Sequence, residues 1–309
     1  QLYQYNWDAV MHCEQTLAID VAMADSIFSN SHFVAQKSKD AIADYFRKKY
    51  NKRPSVNTES PDIRINVYIY KNTCSVALDS SGESLHKRGY KVAGAEAPIS
   101  EVLAAGLIHL SQWDANSVLI DPMCGSGTIC FEAALIAHQI PAGYWRKNFG
   151  FENWKDYNPE MWLQVRSEFG QLPEKFKGNI FGSDISSSTL NIAKSNLRNS
   201  GLNGAISFSR SAFNDYMPPA ESGWVIFNPP YGERIQSEDL LAFYQSFGDI
   251  LKAKYVNFQA WIISSDANAL KFIGLKPSQK IKLYNGPLEC RFLKFDIYSG
   301  SKKTKYQQQ

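Results

Sequence analysis

Asp121-Pro-Met-Cys-Gly-Ser-Gly-Thr128 follows the run Ser117-Val-Leu-Ile120 and opens Thr128-Ile-Cys-Phe-Glu-Ala-Ala-Leu-Ile-Ala137. Four apolar or β-favouring residues ending in punctuation mark a buried strand, and the segment after the glycines has helical apolar spacing with no breaker. The stretch therefore reads as strand, tight turn, helix. Gly125 and Gly127 carry no Cβ, so the backbone can turn sharply and a ligand can come close to it. In an open α/β sheet, ligands bind beyond the carboxyl ends of the strands. A doubly wound α/β sheet, with a site at the end of this strand, is the expectation.

The loop narrows the ligand. A phosphate loop would place Gly-Lys-Ser/Thr at the helix start, and this stretch has no lysine. A dinucleotide loop would read G-x-G-x-x-G, but Cys130 stands at the third position. An acid, three spacers and Gly-x-Gly, with no counter-charge for phosphate, suit S-adenosylmethionine, which has a nucleoside and an amino-acid end. A plain glycine-rich turn is the competing reading. On the first reading Asp121, Cys124, Gly125, Ser126, Gly127 and Thr128 hold the cofactor.

A second strand signal, Trp224-Val-Ile-Phe227, ends in Asn228-Pro-Pro-Tyr231 and points into the same crevice. Two prolines fix two φ angles near −65° and remove two donors, so Asn228 rides on a stiff elbow. A carboxamide donates and accepts hydrogen bonds without taking up a proton. Such a group orients an exocyclic amine whose lone pair is delocalised into a ring. The Asn228 oxygen and the Pro229 carbonyl can accept its two N–H bonds, and the Tyr231 ring can stack on a base. Asn228, Pro229 and Tyr231 are the candidate catalytic residues, with Asn228 also reaching the cofactor.

DPMCGSGT with NPPYGER resembles the amino-methyltransferases. The stretches Leu78-Asp-Ser-Ser-Gly-Glu-Ser-Leu-His-Lys-Arg-Gly-Tyr90, Ala97-Pro-Ile-Ser-Glu-Val-Leu-Ala-Ala105 and Asn285-Gly-Pro-Leu-Glu-Cys290 are similar to the THUMP-containing RNA guanine-N2 methyltransferases, the bacterial large-subunit ribosomal RNA enzymes above all. The resemblance spans nearly the whole chain. It implies a Rossmann-like S-adenosylmethionine-dependent methyltransferase sheet behind a small α+β THUMP-like RNA-binding module, with no metal.

Composition agrees. At 309 residues the chain suits a catalytic domain and an accessory one. No apolar run approaches the ~20 residues of a membrane span. Five scattered cysteines without a Cys-x-x-Cys pair read as reduced thiols of a cytoplasmic protein, neither a disulfide frame nor a zinc site. Between Gln36 and Lys91 stand twelve basic and six acidic residues, an excess above the net +3 of the whole chain. That basic front half fits nucleic-acid binding, with Arg53, Lys87, Arg88 and Lys91 as candidate phosphate contacts.

In chain order, Thr16–Ala22 reads as a strand, and Phe33–Phe46 as an amphipathic helix presenting Phe33, Ala41, Ile42, Tyr45 and Phe46. Ile63–Tyr70 and Thr73–Asp79 read as a hairpin. This THUMP-like module occupies 1–93 and is expected to lack its N-terminal part; the methyltransferase domain follows over 94–300, then a polar tail over 301–309. Pro98 is expected at the first position of a helix running from Ile99 to Leu110, with His109 structural. Asn179–Asp184 forms the next strand, its acid 57 residues beyond Gly127 where a compact dinucleotide fold spends about 20. Insertions of this kind occur in the family, so Asp184 is expected on the ribose hydroxyls. The aromatic-rich Tyr144–Trp154 and the helix after it either cap the site, touch RNA, or pack. One departure from the family pattern concerns the adenine: the acid expected after Ala205–Phe208 is replaced by Ser209-Arg-Ser-Ala-Phe213, leaving Asn214 or Asp215 to reach the amino group.

The expected reaction is methyl transfer to the N2 amine of a guanine in structured RNA, 23S ribosomal RNA being favoured over transfer RNA. A protein glutamine methyltransferase would use the same Asn-Pro-Pro-Tyr, and a DNA adenine methyltransferase shares the loop pair. A non-enzymatic RNA-binding factor is the remaining rival.

Overall fold

The computed structural model describes residues 1–92, 99–169, 171–230 and 237–300. Tyr231, Pro98, the 93/94 boundary and the tail from Ser301 lie outside the described residues. The chain forms two compact units, one of residues 1–87 with 146–170, the other of 88–145 with 171–309.

In the first unit, β1 (Leu17–Ala24), α1 (Ser31–Tyr50), β2 (Ile63–Tyr70) and β3 (Thr73–Leu78) build a three-stranded sheet in the order β1-β2-β3. β1 runs parallel to β2, from Leu17 opposite Ile63 to Ala24 opposite Tyr70, and β2 turns back into β3 through Lys71-Asn72. The Asn30 side chain caps α1 by accepting from the Phe33 amide, and Arg47, Lys48 and Lys49 in the last turn suit the negative end of the helix dipole. Val34, Ser38, Ile42, Ala43 and Phe46 are the buried positions of α1. Phe33, expected on that face, is half exposed, because the stripe at four-residue spacing starts one residue later. Val34, Ile42 and Phe46 close over Leu17, Ile63, Ile65 and Val67 together with Trp7 and Met11.

The insertion belongs to this unit. Arg146 is buried and donates to the carbonyls of Ser81, Glu83, Ser84 and Lys87 at 2.7–3.1 Å. Trp154 packs on the Trp7–Ile42 core, and Lys155 donates to the Asp8 carbonyl. Trp162 of α4 (Pro159–Glu168) meets Phe149 and Phe151 edge-on. Of the three readings of this segment, packing describes these contacts.

The second unit contains α2 (Glu101–Leu110), β4 (Leu119–Asp121), α3 (Thr128–Ala137), β5 (Ile180–Asp184), α5 (Ser187–Ser200), β6 (Ile206–Arg210), β7 (Gly223–Phe227), α6 (Ser237–Lys254), β8 (Phe258–Ser264), β9 (Gln279–Asn285) and β10 (Leu288–Asp296). The seven strands lie in the order β6-β5-β4-β7-β8-β10-β9. β4 pairs with β5 and β7 in parallel, and β10 alone runs against the others, antiparallel to both β8 and β9. A parallel sheet is covered on both faces, which is why β4, β7 and β8 are almost wholly apolar rather than alternating. One core layer joins α2 and α3 to the sheet through Leu107, Phe131, Leu135, Trp261 and Phe292; the other joins α6 through Tyr244, Phe247, Phe227 and Phe295. The strand order changes direction at β4 and β7, so the two motif-bearing strands sit side by side with both loops at their carboxyl ends.

Candidate active site

The turn after β4 is built to bring backbone, not side chain, to the ligand. Gly125 has φ +55°, and a Cβ there would meet nothing within 4 Å. Gly127 has φ +85°, and a Cβ there would stand 2.7 Å from the Phe208 ring. The first glycine thus leaves open space in the crevice, while the second is required by packing. Cys124 N donates to the Ser183 carbonyl and Gly127 N to the Cys124 carbonyl, at 2.9 and 2.8 Å. These bonds tie the turn to the end of β5.

Asp184, the last residue of β5, accepts from the Gly125 amide through Oδ2 at 2.9 Å and from the Ser186 amide through Oδ1 at 2.8 Å. A carboxylate offers about four acceptor positions, so both oxygens can accept further donors. Asp121 is buried and accepts from the Met123 amide at 3.2 Å. Burial holds its carboxyl well above the usual carboxylate range, and Asp184 adds to the rise. Burial likewise raises the Cys124 thiol, so it stays protonated and is a packing group rather than a nucleophile.

Beyond these strand ends opens a cleft of about 1100 Å³. Asp121, Cys124, Gly125, Ser126, Thr128, Asp184, Asn228 and Pro229 all line it; Gly127 lies behind it, under Phe208. The two motifs therefore converge as their strand-end positions required. Asn228 Oδ1 is buried and has no hydrogen-bond partner among the described residues. A buried carboxamide oxygen without a donor is costly unless a ligand supplies one.

The structure adds residues that the sequence reading passed over. Ile185, directly after Asp184, lines the cleft although its side chain is 68% exposed. Thr189 from α5, Phe243 and Ser246 from α6, and Asn285 and Leu288 from the β9–β10 turn complete the walls. Position immediately after a strand-end acid was the available signal for Ile185. The α6 residues had none, since helix spacing alone does not tell a cleft wall from a core face. After β6, Asn214 lines the cleft, whereas Asp215 is exposed and not among the lining residues.

Two candidate phosphate contacts are engaged inside the protein. Arg88 is buried, with Nη2 2.9 Å from Glu132 Oε2 and Nε 3.2 Å from Oε1. Lys91 Nζ lies 2.5 Å from Glu101 Oε1, with a fifth of its side chain exposed. Both therefore anchor the segment before α2 to α2 and α3, which is a packing role that a basic run in sequence does not reveal. Lys87 is exposed, 3.3 Å from Glu83, and Arg53 is exposed. Among the described residues no group of His, Cys, Asp and Glu is arranged to hold a metal ion, and no helix is long and apolar enough to cross a membrane.

Comparison with known proteins agrees with this architecture. Residues 88–294 match the RMKL-like methyltransferase domain and residues 1–79 the THUMP domain. The chain is 38% identical over 296 residues to slr0064, a candidate RNA methyltransferase of Synechocystis, covering 95% of this chain and 77% of that protein. It is 37% identical over 307 residues to the ribosomal RNA large subunit methyltransferase K/L of Shewanella frigidimarina, covering 97% of this chain but 43% of that protein. The chain thus spans less than half of the K/L relative. The crystal structure of SMU.472, a candidate methyltransferase complexed with S-adenosylhomocysteine, superposes with a TM-score of 0.84 at 29% identity over 97% of this chain and 80% of that one. The chain belongs to the RMKL-like methyltransferase family, its catalytic unit folded as a Rossmann-like S-adenosylmethionine-dependent methyltransferase and accompanied by a THUMP domain.

Proposed function

We propose that this protein transfers a methyl group from S-adenosylmethionine to the N2 amine of a guanine in RNA, with large-subunit ribosomal RNA as the target. The observation that carries this reading is the convergence of Asn228, whose side-chain oxygen is buried and has no partner among the described residues, with Gly125, Asp184 and Asp121 on one cleft. The names of the relatives, RNA methyltransferases in both cases, favour RNA over protein or DNA.

Size is the first physical support. A pocket for one drug-sized ligand occupies roughly 300–1000 Å³. At about 1100 Å³ this cleft has room for a cofactor and a flipped-out base together. S-adenosylmethionine, when bound, supplies a methyl group already activated for displacement. Asp184 would accept from the ribose hydroxyls, and the apolar Ile185 beside it would cover a purine face. No acid stands directly after β6, and Asn214 further along lines the cleft in its stead; its carboxamide can accept from the adenine amine and donate to a ring nitrogen. Asp121 faces the positively charged end of the cofactor.

On the acceptor side, Asn228 Oδ1 and the Pro229 carbonyl hold the two N2–H bonds, turning the nitrogen lone pair out of the ring plane and toward the methyl. The pyrrolidine rings keep both acceptors in place, so little reorganisation is needed as the bond forms. Asn228 takes up no proton; the proton leaves the amine after transfer. Tyr231 supplies a stacking face for the base, which must leave its helix to enter. The test is methylation of unmodified total RNA with labelled cofactor, followed by digestion and mapping. Label in N2-methylguanosine of the large-subunit RNA is the expected result. Label in another nucleoside or in protein would replace this reading.

A further inference from the structure

Strand β9 lies at the edge of the seven-stranded sheet and pairs only with β10. Its side chains alternate. Ile281 and Leu283 pack on the α2–α3 core layer, while Lys280, Lys282 and Tyr284 are exposed on the opposite face. Residues directly opposite one another in an antiparallel pair share a face. Arg291, opposite Lys282, is therefore on this outer face as well, and it too is exposed. The Tyr284 ring is 57% exposed, with Lys282 Nζ 5.6 Å from its centroid. The one acid of this strip, Glu289, sits 2.7 Å from Lys282, leaving Lys280 and Arg291 without an ion pair among the described residues. Tyr284 immediately precedes Asn285, which lines the cleft.

We propose that this outer face of the β9–β10 hairpin is an RNA-binding strip of the catalytic unit. It holds the single strand flanking the target nucleotide: Tyr284 stacks the neighbouring base at the cleft rim, and Lys280 and Arg291 take its phosphates. The reasoning rests on the RNA reading above. Residues two apart on a strand repeat every ~6.8 Å, so Lys280 and Lys282 form a regular row that ends in the Tyr284 ring, one residue before the cleft-lining Asn285. A row of cations with one ring is the combination that binds single strands through phosphate and stacking contacts, without sequence preference. Edge lysines also serve simply to keep a sheet edge from pairing with another chain. That role explains the cations but gives no function to an exposed tyrosine beside the cleft.

The experiment compares wild type, the Lys280→Gln/Arg291→Gln double variant, Tyr284→Ala, and Lys194→Gln. Lys194 is an exposed lysine on α5, which packs at the other edge of the sheet, and serves as the control. Binding of a 20-nucleotide oligouridylate is measured across a salt series, alongside S-adenosylhomocysteine affinity and methyl transfer to unmodified total RNA. Each lost single-strand phosphate contact should flatten the log–log salt slope by about 0.7, so the double variant should lose roughly 1.4 and the control nothing. Tyr284→Ala should weaken oligouridylate binding by about five- to hundredfold with the slope unchanged. S-adenosylhomocysteine affinity should stay at the wild-type value throughout, which shows that each variant is folded. Wild-type slopes in the double variant, or wild-type affinity in Tyr284→Ala, would overturn the strip while leaving the RNA reading standing. Wild-type protein with neither salt-dependent RNA binding nor methyl transfer to RNA would overturn both.

Discussion

Replacing Arg88 with methionine separates two accounts of this residue. The side chain is 8% exposed and forks onto Glu132, itself 3% exposed, with the Tyr90 hydroxyl 3.5 Å from the same carboxylate. Methionine keeps most of the stem volume but leaves Glu132 buried without its guanidinium. Removing one partner of a buried pair costs roughly 3–5 kcal/mol. A domain of 150–250 residues loses about 2–4 °C of Tm per kcal/mol, so the loss should be on the order of 10 °C. Its pH dependence follows from Glu132. Burial already pushes this carboxyl above the ordinary range, although Arg88 pulls it back. Without Arg88 the folded-state pKa rises further above the unfolded value of about 4.3. The folded state then favours the neutral form. The penalty grows as pH rises above the unfolded value and fades as pH falls toward it. Thermal melts from pH 4.5 to 8 should show the gap between wild type and Arg88→Met closing toward acid. The salt slope of RNA binding should not move. A variant as stable as wild type, with a slope flatter by one phosphate contact, would refute the buried-pair account and return Arg88 to the RNA.

The two glycines of the loop should fail in different ways. Gly125→Ala adds a methyl to open cleft at a left-handed residue, so it should cost about 1–2 kcal/mol of stability and weaken cofactor binding, read by calorimetry. Gly127→Ala drives a methyl into Phe208 and should lower Tm by more, since overpacking adds about 1–3 kcal/mol to the same backbone strain. Asp184→Ala removes the proposed ribose acceptor together with the Gly125 and Ser186 bonds, and should lower S-adenosylhomocysteine affinity at least about tenfold if one charge-assisted bond is worth its usual 1.5–3 kcal/mol. For Asp121, burial keeps the carboxyl protonated above its ordinary range, and a cationic ligand draws it back to the ionised form. S-adenosylmethionine binding should therefore release a proton and tighten as pH rises from the ordinary carboxylate pKa upward. Calorimetry in buffers of different ionisation enthalpy reads the release, which Asp121→Asn should abolish.

The sheet and its crevice were legible because each motif followed an apolar run, and strand ends determine where loops go. Asp184 could be picked out despite the long insertion because Ile180-Phe-Gly-Ser183 reads as a short strand that ends in an acid. The fate of the insertion was not legible. Trp154, Trp162 and Phe149 are equally suited to a lid, an RNA contact or a core, and only the contacts with Trp7 and Asp8 place them in the first unit. The pairing of Arg88 and Lys91 was hidden for a related reason: their partners Glu132 and Glu101 are 44 and 10 residues away, and net charge cannot distinguish a paired cation from a free one. In the adenine region the sequence offered Asn214 and Asp215 as equals. Of these two, Asn214 lines the cleft and Asp215 does not.

Asn228 is the point on which the account turns, and single-turnover methyl transfer at saturating RNA and cofactor tests it most directly. On the proposed mechanism its bonds to the reacting nitrogen strengthen only as that nitrogen changes hybridisation, and such interactions raise turnover rather than ground-state binding. Asn228→Ala should lower the rate of N2-methylguanosine formation by about a hundredfold or more, the loss of roughly 3 kcal/mol of transition-state stabilisation, while S-adenosylhomocysteine and RNA affinities remain at wild-type values. Asn228→Ala forming N2-methylguanosine at the wild-type rate under saturation would contradict the mechanism and reduce the elbow to scaffolding.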